Sequence, residues 1–126
     1  MSGPTILVVE DNPKNMKLVR DVLQFSGYDV IEATTGEDGV RVAGERAVDL
    51  VLMDLQLPGI DGTETLRRLR GGVLSDDVPV IALSALVMDQ DHAAAETAGF
   101  DGYLNKPISV RALPDQVASF LPDEGP

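Results

Sequence analysis

Short apolar runs alternate with amphipathic stretches along this chain, five times over. Residues 5–9, TILVV, form a β-branched run of strand length. Glu10, Asp11 and Asn12 interrupt it; Asn12 suits a helix N-cap and Pro13 a first helical turn. A helix is predicted from there to about residue 26, where Gly27 stops it. Residues 28–33 read as a second strand. Thr35 with Asp38 three positions on resembles a capping box, with Asp in place of the usual Glu or Gln, and opens a second helix to about Arg46. A third strand is predicted over 49–53 and a third helix from near Thr63 to the Gly71-Gly72 pair. A fourth strand follows over 79–83, then a helix over 88–98 closed by Gly99. A short fifth strand covers 102–104, and after the Lys106-Pro107 turn a last helix runs to about residue 121. The tail, 122–126, is expected to fray. Strict alternation of this kind predicts a parallel sheet with helices on both faces.

The segment 47–62, AVDLVLMDLQLPGIDG, organises the rest. Its apolar run is long enough for one buried strand and ends abruptly at Asp54. Pro58, Gly59, Asp61 and Gly62 then mark a loop. An acidic side chain is thereby predicted at the carboxyl end of a buried strand, the edge where parallel α/β sheets bind ligands. The other strands end in polar residues too: Glu10 and Asp11 after the first, Ser84 after the fourth, Lys106 after the fifth. Three carboxylates, a hydroxyl and an ammonium are expected to converge on one edge.

Charge narrows the chemistry. The 126 residues fit one compact domain, 1–126, with no length for an output domain, and 44% hydrophobic residues suffice for a core. With 21 acids against 10 bases the net charge is -11. That balance argues against nucleic acid, whose binding needs Lys and Arg on phosphates, and against anionic membranes; a divalent cation is the more natural guest. There is no Cys for a disulfide framework or thiol chemistry. No basic leader opens the chain and no apolar run reaches membrane-spanning length, so a cytoplasmic location is expected.

Like charges about 4 Å apart repel by roughly 1–4 kcal/mol per pair, depending on the local dielectric, so the acid cluster calls for a cation. Oxygen ligands without His or Cys select a hard ion such as Mg²⁺, which favours one or two carboxylates plus a phosphate. Ser84 and Lys106 then suit the remaining oxygens of a phosphoryl group. The chemistry that fits is phosphoryl transfer to a carboxylate, with Asp54 as the nucleophile.

In these residues the chain resembles the receiver domains of two-component response regulators. The matching motifs are VVEDN at 8–12, LMDLQLPGIDG at 52–62, ALSA at 82–85 and YLNKP at 103–107, in family order and spacing from end to end. EDNPKNMKLV and NKPIS look most like single-domain cell-division regulators and the receivers of hybrid kinases. The resemblance implies a flavodoxin-like (CheY-like), doubly wound α/β fold with five parallel strands ordered 2-1-3-4-5 and five helices. It implies phosphorylation of Asp54 by a histidine kinase or histidine phosphotransfer protein. It implies Mg²⁺ (or Mn²⁺) on Asp11, Asp54 and the backbone carbonyl of Gln56, with Glu10 helping through water. Lys106 would contact the phosphoryl group, Ser84 and Tyr103 would form a switch pair, and Lys106-Pro107 would be a cis peptide. Gln56 and Leu86 would occupy positions that tune phosphoryl lifetime; Gln56 could orient an attacking water, whereas Leu86 cannot and could shield the site, and slow self-hydrolysis is the expectation. A downstream partner would read the face made by the predicted helix over 88–98, the fifth strand and the last helix.

Each residue also has a plain structural reading: acids at a helix N-terminus, Asn12 as a cap only, Asp54 as a turn residue, Ser84 as a small packed residue, Lys106-Pro107 as a strand stop. Taken together they would all have to coincide at one edge. His92, among Asp89, Asp91 and Glu96, reads as a solvated surface residue, and Arg67, Arg68 and Arg70 as the solvent face of the third helix. In the first helix Leu18, Val19, Val22 and Phe25 form the expected core stripe. Met16 and Leu23 widen the apolar arc to roughly half the circumference; the plain reading is a deeply buried helix, and the functional one, which the resemblance supports, is a kinase-docking patch of Asn15, Met16, Val19 and Leu23. Pro114 is awkward for a helix capped at Ser109 and predicts an irregular first turn or a start nearer Pro114. An alternative function is a haloacid-dehalogenase-type phosphatase, which also pairs an Asp nucleophile with Mg²⁺, but its general acid two residues on is here Gln56. A flavin or nucleotide module on the same fold would need a glycine-rich loop where this chain reads EDNP.

Overall fold

A computed structural model describes residues 3–84 and 99–121. Five strands, β1 (Thr5–Val9), β2 (Asp29–Ala33), β3 (Leu50–Asp54), β4 (Val80–Ser84) and β5 (Gly102–Asn105), form one parallel sheet in the order β2-β1-β3-β4-β5. The described helices are α1 (Pro13–Phe25), α2 (Gly36–Glu45), α3 (Gly62–Arg68) and α4 (Leu113–Phe120). The predicted helix over 88–98, with His92, lies outside the described residues, as do Leu86 and the tail 122–126. Fold class and strand order are those expected.

Local chemistry accounts for the element ends. Asn12 accepts the Lys14 and Asn15 amide protons at 2.9 and 3.3 Å, and Thr35 accepts that of Asp38 at 3.1 Å. Gly27, with φ 96°, follows α1 where a β-branched or bulky residue would be strained. β3 and β4 are buried along their whole length, as strands covered on both faces must be. One core layer packs Val9, Val51, Met53 and Ala82 with Leu66 and Leu69; the other packs Ile6, Val8, Leu52 and Ile81 with Val19, Leu23 and Val117.

Three expectations are corrected. β3 and β4 each run one residue further than predicted, so Asp54 and Ser84 occupy the last rungs of the ladder, Asp54 opposite Leu83 and Ser84 opposite Asn105. The buried face of α1 is Met16, Val19 and Leu23, while Leu18 and Val22 are half-buried and Phe25 is 94% exposed. The core-facing arc therefore lies roughly a quarter-turn from the predicted stripe. Because α1 leans on α4 as well as on the sheet, Met16, Val19 and Leu23 are enclosed and offer no docking surface. Finally, Arg70 leaves the solvent face shared by Arg67 and Arg68. Those two pair with Glu64 and hold its carboxyl down to about 2, whereas Arg70 reaches Asp101.

The open question at Pro114 resolves towards the later start. Residues 109–112 turn on the Ser109 hydroxyl, which accepts the Ala112 amide proton at 3.1 Å, and α4 begins at Leu113. Pro114 then falls in the first turn, where no amide donor is needed.

These assignments predict opposite outcomes at two apolar positions. Leu52→Ala should lower stability in urea unfolding by roughly 2–5 kcal/mol, the range for core truncations. Phe25→Ala should stay within about 0.5 kcal/mol of wild type. A large loss at Phe25 would place that ring against the core.

Candidate functional site

The carboxyl edge of the sheet gathers the predicted residues. β1 and β3 are neighbours, which brings Glu10 and Asp11 beside Asp54. Glu10 is fully buried and Asp54 is 4% exposed, while Asp11 faces solvent. β5 lies beyond β4, about two strand spacings or 10 Å from β3. Only a long side chain spans that gap, and Lys106 does: its Nζ donates to Asp54 Oδ2 at 2.9 Å and lies 2.8 Å from Glu10 Oε1. The loop carrying it begins at the cis Lys106-Pro107 peptide, and its backbone is tied down where the Lys106 amide donates to the Ser84 carbonyl at 2.7 Å.

Asp54 is held from both sides. Its Oδ1 accepts the Gln56 amide proton at 2.9 Å. Behind it, a Cβ on Gly62 would fall 2.8 Å from the Asp54 carbonyl oxygen and 2.9 Å from Leu55 Cα, so α3 can start this close only with glycine there. Ser84 is buried at the end of β4, next to β3. Tyr103 is half-buried and packs against the core layer on the α2–α3 side.

Glu10 is the least comfortable group. Oε2 accepts the Asn12 amide proton at 3.1 Å. Oε1 is ion-paired with the Lys106 ammonium at 2.8 Å and takes no other donor among the described residues. Burial pushes the Glu10 carboxyl up, and Asp54 adds to this against the opposing pull of Lys106 and the Asn12 amide. For Lys106, burial works against the charge, yet Glu10 and Asp54 together outweigh it and hold the ammonium above its usual range. That lysine stays charged throughout the physiological range, and its contribution to stability is lost only at strongly alkaline pH.

Glu10, Asp11 and Asp54 each present a carboxylate oxygen, all within 4.8 Å of one another. Three converging carboxylates that share one ammonium form an oxygen-only donor set, which fits a hard divalent cation. The direct reach of Lys106 to Glu10 was not foreseen from sequence, where Glu10 was assigned only to the metal side; side-chain reach across two strands leaves no local signal.

This edge sets an aspartate on the central strand, an acid pair beside it and a lysine reaching in from the end of the outermost strand, an arrangement suited to a divalent ion and a phosphoryl group. The response regulator receiver domain model matches residues 6–118, and the chain belongs to that family. It is 38% identical over 119 residues to the polar-differentiation response regulator DivK of Brucella ovis, covering 94% of this chain and 97% of that protein. The crystal structure of the receiver domain of sensor histidine kinase PA1611 from Pseudomonas aeruginosa, with a magnesium ion in its active-site cleft, is similar at 34% identity. It covers 94% of this chain and 98% of that one, with a TM-score of 0.86. Vibrio cholerae CheY4, at 22% identity over 95% of this chain and all of its own, shares the fold with a TM-score of 0.90. The chain is thus a two-component response regulator receiver. Nothing found favours the phosphatase alternative.

Lys106→Met tests the electrostatics of the site. It leaves two buried acids without their counter-charge and raises the Glu10 carboxyl further. An acid raised in the folded state loses stability as pH climbs from its unfolded value near 4.3 through the folded one. The variant should therefore be close to wild type near pH 4.5 and less stable by roughly 2 kcal/mol or more at pH 8. Millimolar Mg²⁺ should recover part of that loss at pH 8 only, because binding needs ionised ligands. Urea unfolding at the two pH values measures this; a loss independent of pH would assign Lys106 a packing role.

Proposed function

We propose that Asp54 accepts a phosphoryl group from a histidine kinase or histidine phosphotransfer protein and that the phosphorylated form changes which partner it binds. The observation that carries this is the placement of Asp54: it ends the central strand, with carboxylate oxygens of the acid pair within 4.8 Å and the Lys106 ammonium 2.9 Å from its Oδ2. In the transfer, an Asp54 oxygen forms the new O–P bond as the donor's N–P bond breaks and the histidine leaves. With a small-molecule donor such as acetyl phosphate, the bond broken is the anhydride O–P bond and acetate leaves.

Glu10, Asp11, Asp54 and the Gln56 backbone carbonyl are the groups suited to hold Mg²⁺ or Mn²⁺. That ion, when bound, supplies charge neutralisation and alignment at the phosphoryl oxygens. Lys106 offers an ammonium, and Ser84 a hydroxyl, to the oxygens that remain. Ser84 and Tyr103 act as the switch pair, and Gln56 and Leu86 set the lifetime of the phosphoryl group. The module catalyses only its own phosphorylation and dephosphorylation, in the cytoplasm.

The phosphodonor docks on α1, but on its exposed side. Asn15, Leu18, Val22 and Phe25 supply that surface, and Val110 and Pro114 extend it across an open apolar groove. The output face includes β5 and α4. With net charge -11 the module has no role on nucleic acid or anionic membranes; among the described residues no helix is long and apolar enough to span a bilayer.

Intact mass after incubation with acetyl phosphate tests the reading. Wild type should gain one phosphoryl group when Mg²⁺ is present and none with chelator. Asp54→Asn and Asp11→Ala should gain none. Labelling of Asp54→Asn at the wild-type rate would assign the chemistry to another residue.

A further inference from the structure

The amino edge of the sheet, opposite the phosphoacceptor, carries a polar node that the chemistry above does not use. Asp101, the residue before β5, is pinned to the first residue of β4 by two hydrogen bonds. Its amide donates to the Val80 carbonyl at 2.9 Å, and its Oδ2 accepts the Val80 amide proton at 2.8 Å. Arg70 braces the same carboxylate: Nη2 donates to Asp101 Oδ2 at 2.9 Å and to the Val78 carbonyl at 2.7 Å, and Nη1 donates to the Ser75 carbonyl at 2.9 Å. The arginine can reach because the chain leaves α3 through a wide π-type turn, Leu69–Val73. There the Leu74 amide donates to the Leu69 carbonyl at 2.9 Å and Gly72 takes φ 121°.

β5 is where such a brace matters. It is an edge strand of four residues, paired with β4 alone. An edge strand with one partner is weakly held in register. Lys106 follows directly, and its side chain must cross the end of β4 to reach Asp54. Any slip or tilt of β5 is transmitted to that ammonium. The β4–β5 pair is fastened at one end by the Lys106 amide on the Ser84 carbonyl and at the other by Asp101 and Arg70.

We infer that Arg70 and Asp101 are positioning residues for the phosphoacceptor site: they clasp the amino ends of β4 and β5 and so set where Lys106 enters it. The inference rests on Lys106 having the role proposed above, but the clasp itself is read from the backbone. Arg70 has a fork that meets one carboxylate and two carbonyls at once, a geometry lysine cannot copy. Asp101 supplies the acceptor for Val80 as well as the counter-charge.

The test uses Arg70→Met, Asp101→Asn and Asp101→Ala, with Ile31→Ala, buried on β2 at the opposite edge of the sheet, as a control for simple destabilisation. Amide hydrogen exchange followed by NMR reads the clasp without any phosphoryl donor. In Arg70→Met and Asp101→Ala the Lys106 amide should exchange about tenfold or more faster, while Leu7 and Leu52 amides stay protected. Asp101→Asn keeps an acceptor for Val80 and should fall between. Labelling by acetyl phosphate should slow about tenfold in the same two variants, in line with the cost of a small misplacement of a reacting group. Ile31→Ala should change neither beyond its global stability. Unchanged Lys106 exchange in Arg70→Met and Asp101→Ala overturns the clasp. Faster exchange with labelling at the wild-type rate overturns its link to the site. Wild type that takes no label at Asp54 instead refutes the proposed function and leaves the exchange result standing by itself.

Discussion

One lysine between two buried carboxylates sets the terms for the whole active edge. Glu10 and Asp54 lie on adjacent strands, both nearly sealed from water, and the Lys106 ammonium stands within 3 Å of each. Two buried anions side by side are unfavourable, and they share one cation: the Lys106 ammonium pairs with both Glu10 Oε1 and Asp54 Oδ2. Glu10, Asp11 and Asp54 present carboxylate oxygens within 4.8 Å of one another, a set that suits a further cation. In the proposed reaction a phosphoryl group would give the lysine a new negative partner and a divalent ion would give the acids a positive one.

The fold makes this arrangement affordable in the energetic sense by fixing backbone rather than side chains. Parallel pairing of β1 with β3 places the acid pair and Asp54 at one level. Gly62 lets α3 begin hard against the end of β3. The Gln56 amide orients the Asp54 carboxylate from the loop side. On the far side the lysine enters from an edge strand whose two ends are both tied to β4. Precision at the site thus comes from strand ends and loop amides, while the two core layers supply the stability that holds them.

Much of this was legible in the sequence, because buried parallel strands write a plain pattern. The apolar run ending at Asp54, and the polar residues ending the other strands, gave the edge and its members. Caps at Asn12 and Thr35 were readable because capping depends on nearest neighbours. What stayed hidden depends on contacts across the sequence. The rotation of α1 was misjudged since an apolar arc this wide fits a sheet in more than one way, and α4 decides which side is enclosed. The start of α4 was ambiguous, with both Ser109 and Pro114 able to open a helix. The contact of Lys106 with Glu10 and the departure of Arg70 from its arginine neighbours are matters of side-chain reach, which spacing does not encode.

The central claim is that Asp54 is the group phosphorylated, with Lys106 released from its bridge between Glu10 and Asp54 to meet the new charge. A crystal structure grown with Mg²⁺ and beryllofluoride, a phosphoryl mimic, tests it directly. Beryllium should be bonded to an Asp54 carboxylate oxygen, with Lys106 Nζ moved to a fluoride and the metal held among Glu10, Asp11 and Asp54. Beryllofluoride on any other carboxylate, or on Asp54 with Lys106 still bridging Glu10 and Asp54, would contradict it.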